Sequence, residues 1–215
     1  MKTVLSIFLS LIVISGVHAD DKYESAMRSN LEKIGTAQTP NDYIKIANNF
    51  ERIALAEKEK WLPYYYSAFC YTLANYSDTS NTRKEIYLDK AVAFLQTADS
   101  LEQNNSEIFT LMGMIAQARM QIDSMNRWMK YGAEAENSFR KAMEIDPTNP
   151  RPEYLIGIGL FYTPQQFGGG PVPAKPILER SLEKYNSFIP QNDLMPDWGR
   201  EMVEQLLKQI IDGDQ

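Results

Sequence analysis

A run of three glycines at 168–170, followed by Lys175, is the first place in this 215-residue sequence where residue types suggest chemistry. Loops whose backbone N–H groups cradle a phosphate have the spacing G-x4-G-K-[ST] and follow a strand. Here Pro171, Pro173 and Pro176 interrupt that spacing, and proline lacks the N–H group that a phosphate would bind. The segment therefore favours a stiff turn between two helices. We predict that its residues form the rim of a binding groove: Phe167, Gly168, Gly169, Gly170 and Lys175.

Histidine and cysteine, the usual nucleophile partners and metal ligands, are nearly absent. His18 is the single histidine, and it lies in a segment that we expect to be removed from the mature chain. Ser-His-Asp catalysis, Cys-His catalysis and histidine-containing zinc sites are thereby excluded, because each needs an imidazole. Cys70 lies in the apolar stretch SAFCYTL, which favours a buried core residue over a reactive thiolate.

Carboxylates are numerous, but their spacing indicates a solvated helix face. Glu134, Glu136, Glu144 and Asp146 follow one another at such spacings. A pair of carboxylates can hydrolyse glycosides, yet nothing in the sequence sets one pair apart from surface charge. We predict that the protein is not an enzyme and uses no metal and no cofactor. A helical hydrolase is the least favoured alternative.

The first nineteen residues have the layout of a secretory signal peptide. Lys2 is followed by an apolar run over residues 4–14, and small side chains precede a cleavage point after Ala19. We therefore expect a signal peptide at 1–19 and a single domain at 20–215, located in the periplasm or secreted. No cysteine stands at the cleavage point to carry a lipid anchor. No second apolar run reaches the length of a membrane span.

The charge balance narrows the classes of partner. The formal net charge of the full chain is −6, and the positive charges form no cluster. An acidic chain of this kind is a poor candidate for binding nucleic acid or an anionic membrane surface.

Apolar residues recur three and four positions apart after residue 20, which predicts an all-α protein. The clearest unit is 135–147, AENSFRKAMEIDP, with the spacing A-x3-F-x2-A-x4-P. This spacing resembles the second helix of a tetratricopeptide repeat (TPR). Small alanines let paired helices approach, the aromatic ring fills the gap between them, and the proline ends the helix. Two further copies of the spacing are Ala91, Leu95 and Ala98, and Ala174, Leu178 and Ser181.

Matching first helices precede these second helices, with Ala68, Gly113 and Gly157 at the position of the small residue. The paired helices are longer than usual, because 22 residues separate Gly113 from Ala135 where a 34-residue repeat needs about 12. An ordinary helical bundle with chance matches is the alternative. The predicted units are 22–60, 61–104, 105–148 and 149–190, with a capping helix at 195–212.

The combination NPRPEYLIGIGLF, FGGG and AKPILER resembles a group of secreted bacterial TPR proteins, commonest in Bacteroidetes-like organisms. The resemblance covers roughly residues 105–212. It implies a TPR-like solenoid of helical hairpins with a C-terminal capping helix, and a location in the cell envelope or outside the cell. It implies no activity.

Stacked hairpins form a concave face lined by their first helices. Tyrosines on such a face offer rigid contact area with a polar tip. We predict a groove that makes the protein a non-catalytic scaffold for a protein or peptide partner. A small-ligand carrier using the same groove is the alternative, and the N-terminal helix could instead fill the groove. The predicted groove residues are Tyr65, Tyr66, Phe69, Thr110, Met114, Gln117, Tyr154, Ile158, Phe161 and Tyr162.

Overall fold

The computed structural model describes residues 21–213, and all of their regular secondary structure is helical, which confirms the predicted all-α fold. The predicted signal peptide at 1–19 lies outside the described residues. None of the described helices is both long enough and apolar enough to cross a membrane. The helices are α1 (21–34), α2 (Pro40–Ala56), α3 (Trp61–Ser77), α4 (Asn81–Leu101), α5 (Ser106–Ile122), α6 (Ser124–Ile145), α7 (Arg151–Tyr162), α8 (Pro171–Ser187) and α9 (Arg200–Gly213), with a 3₁₀ turn at Gln165–Phe167.

Short polar side chains fix where several of these helices begin. Thr39 and Asp42 form a reciprocal capping box at the start of α2: the Thr39 hydroxyl accepts from the Asp42 N–H, and the Asp42 carboxylate accepts from the Thr39 N–H. The Asn105 side chain accepts from the N–H groups of Glu107 and Ile108 at 2.8 and 3.3 Å, so α5 begins at Ser106. Each cap satisfies N–H groups that have no partner inside the helix.

The helices pack as the pairs α3–α4, α5–α6 and α7–α8, and the first helices of neighbouring pairs contact one another. Helix α2 also packs extensively against α3. Glycine allows the two helices of a pair to approach each other closely in two of these pairs. A Cβ atom at Gly113 would lie 2.3 Å from the ring of Phe139, and one at Gly157 would lie 2.6 Å from Leu178. The small residue of the first helix therefore receives the large residue of the second, as the repeat spacing predicts. Hairpin packing of this kind confirms the solenoid-like arrangement.

A twelve-residue segment without regular helix, residues 188–199, connects α8 to α9. We call it the strap. Leu194 is 5% exposed and belongs to the core that α1–α7 share, whereas α9 packs with α8 in a second, smaller core. Residues 195–199, predicted to begin the capping helix, belong to the strap, and α9 begins at Arg200.

The corner between α3 and α4 is organised by one carboxylate. Asp78 accepts two hydrogen bonds from the guanidinium of Arg83, both at 2.7 Å, one from the Ser80 N–H at 2.8 Å and one from the Tyr87 hydroxyl at 3.1 Å. The Arg83 contact first, and then the Ser80 N–H, hold the pKa of Asp78 well below its usual range.

Gly113 and Gly132 make a matched test of the close helix pair. We expect Gly113→Ala to lower the free energy of unfolding by about 1–3 kcal/mol, because the buried Phe139 ring cannot yield. Gly132→Ala in α6 should raise it by up to about 1 kcal/mol, because its Cβ meets only Met120 Sδ at 3.8 Å and alanine favours a helix. Denaturant titration measures both, and equal effects of the two variants would contradict the packing described.

The Asp78 corner predicts a pH dependence with a definite sign. A carboxylate whose pKa is lowered by folding stabilises the fold above its unfolded pKa of about 3.9, and this stabilisation is lost as pH falls below that value. Asp78→Asn should therefore melt at a lower temperature than the wild type at pH 7. The difference in melting temperature between Asp78→Asn and the wild type should become smaller below about pH 4. A difference that does not change with pH would show that the Asp78 charge is not the cause.

Candidate functional site

The three glycines form a turn whose backbone donors are already used. The N–H groups of Gly168, Gly169 and Gly170 donate to the carbonyls of Gln165 at 2.9 Å, Pro164 at 3.3 Å and Leu160 at 2.8 Å. Gly168 and Gly170 have φ of 81° and 105°, which favours glycine. None of the three N–H groups is left to cradle a phosphate. Of the predicted rim contacts, Phe167 is exposed, and Lys175 is half-buried.

The cysteine and the carboxylates considered from the sequence lie in different environments. Cys70 is fully buried, and burial raises the pKa of its thiol. Glu134, Glu136 and Glu144 are exposed along α6. Within residues 21–213, no three His, Cys, Asp or Glu side chains are grouped so that they could hold a metal ion.

The predicted groove is closed at α3. Tyr65, Tyr66 and Phe69 are 0%, 3% and 5% exposed, so they do not line an open surface. Trp198 of the strap stacks on the Phe69 ring with centroids 5.0 Å apart. The indole Nε1 of Trp198 donates to the Tyr65 hydroxyl at 3.0 Å, and the Tyr66 hydroxyl donates to the Leu194 carbonyl at 2.7 Å.

The groove at α3 is therefore covered by the strap. The alternative considered from the sequence was that the N-terminal helix fills the groove. The strap lies on α3, and α1 contributes Arg28, which forms an ion pair with Asp193 of the strap at 2.5 Å. The position of Trp198 over α3 was not predicted, because residue 198 was assigned to the capping helix at 195–212.

The predicted groove residues of α5 serve helix packing. Thr110 and Met114 are buried, and the Thr110 hydroxyl donates to the Ser106 carbonyl inside its own helix at 2.7 Å. Gln117 is half-buried, and its amide donates to the Leu155 carbonyl of α7 at 3.1 Å. These side chains hold α5 against its neighbours and are not free to grip a partner.

The predicted residues of α7 remain accessible. Tyr154, Ile158 and Phe161 are half-buried, and Tyr162 is 68% exposed. Residues 154, 158 and 162 are four positions apart, which places them on one side of the helix. This accessible strip of α7 runs from the strap, where Tyr154 meets Trp198 edge-on at 6.1 Å, to the glycine turn.

A cluster of three tyrosines joins this strip to α3. We call Tyr76, Tyr154 and Tyr162 the tyrosine cluster; Tyr76 was not predicted from the sequence. The Tyr76 hydroxyl donates to the Met114 carbonyl of α5 at 3.4 Å. Burial, and then the neighbouring Tyr162 phenol, raise the pKa of Tyr154 to about 12. Desolvation of the hydroxyl, and then Tyr154, also raise the pKa of Tyr76, although the residue as a whole is 40% exposed.

A buried ion pair lies at the other end of α7. Arg151 is 0% exposed, and its Nε and Nη2 donate to the two carboxylate oxygens of Glu107 at the start of α5. Asn149 adds a hydrogen bond to Glu107 at 2.8 Å. The strap covers this pair, because the rings of Phe188 and Trp198 lie 4.5 and 5.8 Å from the Arg151 guanidinium carbon.

A separate pocket opens between α4, α5 and α6, away from the tyrosine cluster. Its lining comes from the mid-portions of these helices and is partly apolar. The lining residues are Val92, Leu95, Gln96, Met112, Ile115, Ala116, Glu134, Asn137 and Ser138.

The chain was compared with protein-family models, curated proteins and solved structures. No protein-family model matches the chain, and no curated protein matches it. The tetratricopeptide assignment therefore stays a prediction. Among solved structures, the chain is similar to the HusA haemophore from Porphyromonas gingivalis, with 32% sequence identity and a TM-score of 0.79.

This likeness extends over nearly the whole of both proteins, covering 90% of this chain and 94% of the other. It supports a binding role rather than a catalytic one. The identity is above 30% over most of both chains, and the TM-score of 0.79 indicates the same overall fold. The chain therefore belongs to the family of the HusA haemophore.

Proposed function

We propose that this protein binds haem or a related porphyrin, without catalysing a reaction, in the periplasm or outside the cell. The observation that carries the proposal is the tyrosine cluster on an accessible, largely aromatic strip, in a chain whose relative is a haemophore. The expected signal peptide agrees with the location. We favour a small ligand over a peptide partner, because the strap covers the surface of α3 that an extended peptide would need.

The accessible strip suits a flat, apolar macrocycle. Tyr154 and Tyr162 are eight residues apart on α7, so the strip extends about 12 Å along the helix. Ile158 and Phe161 between them add apolar area, and the Phe161 and Tyr162 rings meet edge-on with centroids 5.1 Å apart. Rings of this kind provide a rigid wall against which a macrocycle can stack.

The same residues favour binding through the macrocycle rather than through iron. The mature chain is expected to contain no histidine, the usual protein ligand of haem iron. A tyrosine ligates iron as a phenolate, and the raised pKa values of Tyr76 and Tyr154 disfavour that form. We therefore infer that an iron-free porphyrin binds with nearly the affinity of haem.

A second candidate function, docking of a protein partner, is supported by a different surface. Met125, Trp128 and Met129 at the start of α6 are 83%, 60% and 69% exposed. Helix α6 begins at Ser124, 11 residues before Ala135 (135 − 124). Helix α8 begins only 3 residues before the equivalent Ala174 (174 − 171). The three side chains are exposed because they lie in this additional N-terminal part of α6. Three large apolar side chains together on an exposed helix end are typical of a protein contact.

Tyr162 gives the test of porphyrin binding. We expect Tyr162→Ala to weaken binding of both haem and iron-free protoporphyrin about tenfold, because the ring leaves the strip. Tyr162→Phe, which keeps the ring and removes the hydroxyl, should stay within about threefold of the wild type. Absorbance and fluorescence titrations measure the affinities.

The control for this test is Ile86→Ala, an exposed side chain on α4 that should leave binding unchanged. The proposal is wrong if neither ligand binds the wild type. Loss of haem binding in Tyr162→Phe, with no binding of the iron-free ligand, would show instead that iron ligation by Tyr162 carries the affinity.

The α6 surface has its own test. A triple variant, Met125→Gln/Trp128→Gln/Met129→Gln, should release any protein that the wild type captures from the envelope fraction of its source cells. It should bind porphyrin like the wild type, because α6 lies outside the tyrosine cluster. Equal capture by the variant and the wild type would eliminate this surface as the docking site.

A further inference from the structure

We propose that the strap conceals a carboxylate-binding subsite at Arg151, which takes a carboxylate side chain of the bound porphyrin when the strap moves aside. The inference rests on the proposed function, because the propionate groups of natural porphyrins supply the carboxylates. It adds a polar subsite, a trigger for the strap and a preference among porphyrins, none of which follows from ring stacking alone.

The first support is an unused donor. Two nitrogens of the Arg151 guanidinium, Nε and Nη2, are occupied by Glu107. Among the described residues the third, Nη1, is buried and has no hydrogen-bond partner, although the Tyr185 hydroxyl, which donates to the Trp198 carbonyl, lies near the guanidinium. A buried donor of a charged group that lacks a partner costs free energy, and an arriving carboxylate would remove that cost.

The second support is what covers this donor. Phe188 and Trp198 lie over the guanidinium, and both belong to the strap. Their rings interact with a cation, but they accept no conventional hydrogen bond from Nη1. A carboxylate would give a shorter and stronger contact, since charge-assisted hydrogen bonds exceed neutral ones. The strap therefore leaves Nη1 without the hydrogen bond that a carboxylate would accept.

The third support is the build of the strap. Twelve residues without regular helix are uncommon inside a compact domain, and such segments are often functional covers. The ion pair that ties the strap to α1, between Arg28 and Asp193, is exposed at both ends and contributes little to holding it closed. Leu194, inserted into the core, is its main apolar anchor.

The subsite is continuous with the tyrosine cluster. Arg151 precedes Tyr154 by three residues on α7, a rise of about 4.5 Å. Trp198 touches Tyr154 edge-on, so it stands at the border between the accessible strip and the covered arginine. A macrocycle on the strip with one carboxylate directed toward the start of α7 would displace Trp198 first. The N-terminal end of α7 would add a favourable dipole for the anion.

The test compares protoporphyrin IX with its dimethyl ester, which has the same ring and no carboxylate charge. With the wild-type protein, the diacid should bind at least tenfold more tightly. Hydrogen exchange of the peptide covering 188–199 should become faster with the diacid and stay unchanged with the ester. Equal affinities with unchanged exchange would overturn the subsite while leaving the proposed function standing. Failure of both ligands to bind would overturn both.

Two variants extend the test without leaving a charge buried alone. Glu107→Gln/Arg151→Met removes both charges together, which buried pairs often tolerate, and should reduce diacid affinity to that of the ester. Leu194→Ala loosens the strap and should raise diacid affinity several-fold. Leu88→Ala in α4, a buried leucine outside the strap and outside the smaller core that backs the strip, is the matched control. A rise in Leu88→Ala equal to that in Leu194→Ala, or a retained diacid preference in the double variant, would contradict the proposal.

Discussion

The buried ion pair between Glu107 and Arg151 is the constraint on which the arrangement of α7 depends. Burial raises the pKa of the Glu107 carboxyl, an effect that the Arg151 guanidinium opposes, so the pair must be held by further hydrogen bonds to persist. Asn149 supplies these by donating to Glu107 and to Ser106 and by accepting from the Arg151 N–H. The start of α7 is thereby fixed against α5, and the helical phase of Tyr154 and Tyr162 is fixed with it.

The strap gives the concave side two unlike halves. Over α3 the strap provides the cover that a bound partner would otherwise provide. The Leu194 carbonyl accepts a hydrogen bond from the Tyr66 hydroxyl, and the Trp198 indole donates one to the Tyr65 hydroxyl. Beside α7 the strap stops at Trp198 and leaves an aromatic strip exposed. Such a division suits a carrier of an apolar ligand, because the protein stays folded when empty and still presents a surface that gains from being covered.

The repeat spacing predicted the fold because it reports local packing. Gly113 against Phe139 and Gly157 against Leu178 are contacts between paired helices, and the sequence showed both members of each pair. The site was predicted only in part, because helical phase places Tyr154 and Tyr162 on one side of α7 but says nothing about what lies over α3. Trp198 reaches Phe69 across 129 residues of sequence (198 − 69), and no periodicity reports a contact made by an irregular segment.

The central claim, that the strip carrying the tyrosine cluster binds a porphyrin ring, is tested most directly by NMR titration of the isotope-labelled protein with diamagnetic gallium protoporphyrin. The account predicts shift changes at the amides of α7, at the end of α3 near Tyr76 and in the strap, with α4 and α6 unaffected. Shift changes confined to the pocket between α4, α5 and α6, or no saturable change anywhere, would contradict it.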